Sequence, residues 1–130
     1  MRIKRIVAVT ASAAVLWGAG ATAAQADTHR QYYLSVGDSY ALGYQPNGDL
    51  THGFAQQLVP KVAKRGYDLT LVNVACGGAT TESILYRKGC SKDRRPVGAK
   101  PYWPLTQTQA AARFLRKHRG DVKLVTVSIG

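Results

Sequence analysis

A serine at a strand-to-helix junction is the residue of this chain best suited to covalent chemistry. The segment Gly37-Asp38-Ser39 directly follows 31–36, an apolar run typical of a buried strand. A serine hydroxyl becomes a nucleophile when a base and an oxyanion site act on it, and the unpaired N–H groups at a helix start can supply part of such a site. Gly, Asp and Ser also favour turns and helix caps, so the tripeptide alone supports either interpretation.

The elements that must position Ser39 alternate between strand and helix patterns. The apolar spacing predicts strands over 31–36, 68–74 and 122–129, and helices over 39–43, 53–65, 81–86 and 104–118. Pro60 lies inside the second helix pattern, where a proline removes one hydrogen bond. The alternation is typical of βαβ units and predicts an α/β fold with a parallel sheet.

Glycine marks the end of each predicted strand. The three ends are Gly37-Asp38-Ser39, Cys76-Gly77-Gly78 and Ser128-Ile129-Gly130. In open parallel sheets, functional sites form beyond the carboxyl ends of the strands. We therefore expect these three segments to meet at one edge of the sheet.

Two of these segments resemble signature blocks of the SGNH, or GDSL, hydrolases. Residues 35–44 (SVGDSYALGY) resemble the first block of that family, and residues 73–81 (NVACGGATT) resemble the second, with Gly78 as its glycine. The resemblance implies the three-layer α/β/α, flavodoxin-like fold of the family, of which this chain would cover the N-terminal half. It also implies a carboxylic ester hydrolase of the esterase or lipase type, with a small-molecule or lipid ester as substrate and neither cofactor nor metal.

The same resemblance assigns roles to individual residues. Ser39 would be the nucleophile, and the backbone N–H groups of Ser39 and Gly78 would form part of the oxyanion hole. Asp38 would be a structural hydrogen-bonding residue. The family's third block, Gly-x-Asn-Asp, is matched only by Gly130, and the later Asp-x-x-His segment has no assigned match. We therefore expect the oxyanion asparagine and the catalytic Asp and His to lie beyond Gly130, and this chain to be an inactive part of the domain.

None of the three histidines is assigned as the base. His52 lies near Ser39 in sequence and could reach the same edge, although a loop or cap position is favoured. His118 is expected to be a solvated cation at the end of a helix, and His29 lies close to the predicted mature N-terminus.

The first 26 residues have the three parts of a secretory signal. A basic start precedes an uncharged stretch, and Ala24-Gln25-Ala26 provides a small-x-small cleavage pattern, which leaves 27–130 as a secreted domain. A membrane anchor is the alternative for the same stretch, disfavoured because it is rich in Ala, Thr and Gly. We expect no stable membrane insertion after cleavage. Cys76 and Cys90 form an even pair, which in an exported chain predicts a disulfide rather than a metal site.

The formal net charge is +11, and six Lys and Arg residues fall within 87–100, which we call the basic segment. A solvated loop is the favoured interpretation of this segment, and it lacks the alternation of aromatic and basic residues used to stack nucleic-acid bases. We expect no nucleic-acid partner. The alternative function is a small exported module that binds anionic polymers or surfaces through this loop.

Overall fold

The structure is a computed structural model that describes residues 30–130. The predicted signal segment and His29 lie outside the described residues. The described elements, in chain order, are β1 (Gln31–Gly37), α1 (Ser39–Leu42), α2 (Phe54–Ala63), β2 (Leu69–Asn73), α3 (Thr81–Tyr86), a 3₁₀ turn (Lys92–Arg94), α4 (Gln107–Lys117) and β3 (Val122–Ser128).

The three strands form one parallel sheet in the order β2-β1-β3. Tyr33 pairs with Leu71 on one side and with Leu124 on the other, so β1 is the central strand. The predicted α/β class with a parallel sheet is confirmed. Because β2 and β3 lie on opposite sides of β1, the chain reverses its winding direction there, and the ends of β1 and β3 form a topological switch point.

Helices pack against both faces of the sheet, and successive residues of β1 point to opposite faces. Tyr33 is fully buried and packs with Ala55 and neighbouring residues of α2. Leu34, next in sequence, is also fully buried and packs with Ala111 of α4 on the other face. The crossover helices α2 and α4 therefore each bury side chains of β1, on opposite faces of the sheet.

The four predicted helices are present; α3 has the predicted bounds, and the other three are shorter than predicted. The 104–118 helix begins later than predicted, at Gln107, because Thr106 is its N-cap and forms a capping box with Gln109. The second helix continues through Pro60, as the sequence pattern indicated. Thr80 caps α3 at the predicted position, again with a capping box.

Candidate functional site

The carboxyl end of β1 requires a glycine. Gly37 has a φ of +139°, and a Cβ added there would lie 1.8 Å from the carbonyl oxygen of Ser128 on β3. No side chain fits at that distance. The absence of a Cβ allows β3 to approach the turn that leads into Ser39.

Asp38 fixes this turn with three hydrogen bonds. Its Oδ1 accepts from the N–H of Tyr40 (2.9 Å), and its Oδ2 accepts from the N–H of Gly130 (3.1 Å). Its own N–H donates to the carbonyl of Ser128 at 3.0 Å. The buried carboxylate caps α1 and binds the end of β3, a structural use that agrees with the role expected of it.

Side chains from other elements hold the carbonyl end of the four-residue helix α1. Asn73 at the end of β2 donates from Nδ2 to the carbonyl of Ala41 (2.7 Å), and Gln56 of α2 donates from Nε2 to that of Leu42 (3.0 Å). Gly43 ends the helix in the left-handed conformation. A helix this short has little stability of its own, so these contacts determine the position of Ser39.

Ser39 and Gly78 occupy equivalent places on adjacent loops. The N–H of Cys76 donates to the carbonyl of Gly37 at 3.0 Å, which places these two residues side by side. Ser39 lies two residues after Gly37, and Gly78 lies two residues after Cys76. Within residues 30–130, neither the N–H of Ser39 nor that of Gly78 donates to a protein acceptor. Ser39 is half-buried and Gly78 is exposed, so both of these unpaired N–H groups belong to residues that reach the surface.

The three strand ends meet as the sequence predicts. The backbone hydrogen bond from Cys76 to Gly37 joins the loop after β2 to the end of β1. Asp38 joins the end of β1 to Ser128 and Gly130 through hydrogen bonds. The switch point of the sheet therefore coincides with the segment that carries Ser39.

Gln107 is a residue of this edge that sequence reasoning missed. Its side chain is 2 % exposed, accepts from the N–H of Gly37 (2.8 Å) and donates to the carbonyl of Gly37 (2.9 Å). A glutamine just after a helix cap carries no sequence signal for such a contact. The pattern places Gln107 on a helix and gives no information about its partner 70 residues earlier.

The Cys76–Cys90 disulfide is formed, as predicted. It ties the loop after β2 to the basic segment, and the N–H of Gly77 donates to the carbonyl of Arg94 at 2.8 Å on the same side. These two links hold the backbone at Cys76 and Gly77, the two residues that precede Gly78.

No histidine of residues 30–130 forms a hydrogen bond with Ser39. His52 is exposed and contacts Asp49 through Nδ1, with the Thr51 hydroxyl at 2.9 Å from the same nitrogen. The Thr51 hydroxyl and N–H, followed by His52, lower the pKa of the Asp49 carboxyl to about 2. His52 is thus a loop residue paired with a carboxylate.

His118 differs from its expected state. It is the C-cap of α4, but its half-buried ring packs against those of Tyr32 and Phe114, with centroids 4.6 and 4.4 Å away, instead of lying free in solvent. This packing places it against the strand β1, at the opposite end from Ser39.

No group of three or more His, Cys, Asp or Glu side chains within residues 30–130 is arranged to hold a metal ion. No helix in the same range is long and apolar enough to cross a bilayer. Comparison of the chain with protein-family models, with curated proteins and with solved structures found no match.

Proposed function

We propose that this chain carries the nucleophile and two oxyanion donors of an exported serine ester hydrolase with the SGNH fold. The observation that supports it best is the pairing of Ser39 with Gly78. Both lie just beyond the ends of adjacent parallel strands, and both present backbone N–H groups that no protein acceptor within residues 30–130 uses. The two sequence blocks that resemble the family coincide with these two corners.

In this proposal, Ser39 Oγ attacks the carbonyl carbon of an ester while its proton passes to a base. The C=O electron pair moves to the oxygen, and the N–H groups of Ser39 and Gly78 stabilise the resulting oxyanion. Its collapse expels the alcohol, which takes up the proton, and leaves an acyl-Ser39 that water hydrolyses. Each oxyanion donor of this kind contributes about 3 kcal/mol to lowering the barrier.

Residues 30–130 hold no histidine bonded to Ser39, so the proposal predicts a nucleophile that lacks its base. External imidazole can take the role of a missing base. The test is labelling of the full chain, disulfide intact, by a fluorophosphonate with and without imidazole, followed by peptide mass mapping. We expect the adduct on Ser39, formed on the order of 10²-fold faster than on the urea-unfolded chain and accelerated further by imidazole.

Three variants give this labelling experiment its controls. Ser39→Ala removes the expected adduct. Ser91→Ala, at an exposed serine of the basic segment, leaves the labelling unchanged, and so does His52→Ala if that residue belongs only to its loop. Equal labelling of folded and unfolded chain, or an adduct distributed over several serines, contradicts the proposed nucleophile.

The second candidate function is binding of anionic polymers by the basic segment. Four of its cations, Arg87, Lys88, Lys92 and Arg94, are exposed and lie close to one another in sequence. This function predicts retention on heparin that weakens with salt and is unaffected by Ser39→Ala. Elution from heparin at the same salt concentration as from a plain cation exchanger counts against it.

A further inference from the structure

A cavity of about 950 Å³ lies along the outer edge of β2, on the side that faces away from β1. Segment 96–105, the helix α4 and the residues Leu50, Thr51 and Gln56 form its other walls. Half-buried apolar side chains of the edge strand and of α4 line it: Leu71, Val72, Val74 and Phe114. The volume is in the range of cavities that bind small molecules.

The charged groups that line this cavity have one sign. Lys100, Arg113 and Lys117 contribute to the lining, and none of its described lining residues is Asp or Glu. Arg113 and Lys117 lie one helical turn apart on α4, and so project from the same side of that helix. A cavity with cations and no carboxylates favours an anionic ligand.

Aromatic side chains of segment 96–105 complete the apolar surface. Trp103 is 69 % exposed and lines the cavity, as does Tyr102. Burial raises the pKa of the Tyr102 phenol, which agrees with poor hydration at that wall. A long apolar surface next to a cationic helix suits a ligand with an alkyl chain and an anionic head.

We propose that this cavity binds a single-chain anionic amphiphile, of the fatty carboxylate class. The chain lies along β2 and Phe114, and the carboxylate is held by Arg113 and Lys117. This site lies outside the Ser39 edge and does not depend on the proposed hydrolase function. Burial of successive methylenes predicts an affinity that rises about fourfold per CH₂ from octanoate to decanoate.

The test is calorimetric titration of the full chain with sodium decanoate below its micellar concentration. Decyltrimethylammonium, with the same chain and the opposite charge, is the matched ligand and is expected not to bind. The variant Arg113→Glu/Lys117→Glu is expected to weaken decanoate binding at least tenfold. Arg116→Glu/Arg119→Glu makes the same charge change at exposed positions that do not line the cavity, and is expected to leave the affinity within twofold.

A second pair of variants tests the wall without altering the core. Val97 lines the cavity and is 74 % exposed, whereas Val127 on β3 is 63 % exposed and does not line it. Val97→Asp is expected to weaken decanoate binding, and Val127→Asp to leave it unchanged. Three results would each overturn the proposal. The first is an equal effect of the two charge-reversed pairs, and the second is equal binding of the cationic amphiphile. The third is binding to phosphatidylglycerol vesicles with none to monomeric decanoate.

Discussion

The side chain of Gln107 binds both the N–H and the C=O of Gly37, at 2.8 and 2.9 Å, in the buried space below the Ser39 turn. A carboxamide can satisfy a peptide group in this way because it carries a donor and an acceptor side by side. The first residue of α4 therefore supplies the acceptor for the Gly37 N–H, and a second donor, besides the N–H of Cys76, for the Gly37 carbonyl.

Gln107→Ala is expected to lower the free energy of unfolding by about 1–3 kcal/mol, because it leaves the buried N–H of Gly37 without an acceptor. Urea denaturation with the disulfide intact measures the change. Gln107→Glu is expected to be destabilised at neutral pH, where a carboxylate oxygen faces the Gly37 carbonyl, and to recover as acid protonates it. Arg116→Ala, at an exposed position of α4, is the control, and an equal loss in both alanine variants would contradict this role of Gln107.

Gly37→Ala is expected to destabilise the fold by about 3 kcal/mol or more, through backbone strain and overlap with Ser128. Gly120→Ala is the matched variant, since Gly120 also has a positive φ, +88°, but has open space around it. Its expected cost is about 1 kcal/mol from the backbone alone. Thermal unfolding of both proteins, compared with the parent, separates the close approach of β3 from the backbone preference. Similar losses would show that the Ser128 contact contributes nothing.

Replacement of both cysteines by alanine is expected to lower the free energy of unfolding by about 3 kcal/mol, since Cys76 and Cys90, 14 positions apart, close a loop whose freedom the disulfide restricts. The double variant is compared with the oxidised parent by urea denaturation. The Ser39 labelling rate is expected to fall as well, because the loop that presents Gly78 loses one of its two attachments. Full stability without the disulfide would contradict the first expectation, and an unchanged labelling rate the second.

Asp49 is expected to titrate with a pKa of about 2, below its ordinary value of 3.8. The ionised form is favoured in the folded protein, so its stabilising effect is complete above pH 3.8 and is lost as the pH falls through about 2. Carboxyl ¹³C NMR detects this titration directly. Thr51→Val is expected to raise the pKa of Asp49, whereas Thr51→Ser keeps the hydroxyl and the low pKa. An unchanged titration in Thr51→Val would contradict the contribution of that hydroxyl.

The local pattern of the sequence was sufficient to predict most of the fold. Tyr33 and Leu34 lie in an apolar run bounded by Gly37, and a run of that length predicts a buried strand whichever face each residue occupies. Thr80 precedes a helix pattern, and the capping preference of threonine places the start of α3. Glycines at the ends of the strands predicted the common edge, because parallel strands bring their carboxyl ends to the same side.

The contacts that hold the candidate site could not be predicted, because they join residues far apart in the chain. Gln107 and Gln56 have no sequence feature that marks them as partners of Gly37 and Leu42, and a glutamine in a helix is ordinarily exposed. The helix pattern over 104–118 also included Pro104, although the Thr106 cap starts the helix later. His118 was expected in solvent since its neighbours are basic, and only the packing of Tyr32 and Phe114 reveals its ring contacts.

The carboxylate of Asp38 binds a backbone group 92 positions further along the chain. Contacts of such separation form late in folding, after the intervening loops have closed. The turn that carries Ser39 is therefore synthesised early, yet it gains its final hydrogen bonds only when β3 docks beside β1. In a chain that leaves the ribosome from its N-terminus, this order would keep the serine unorganised until nearly all of residues 30–130 had emerged.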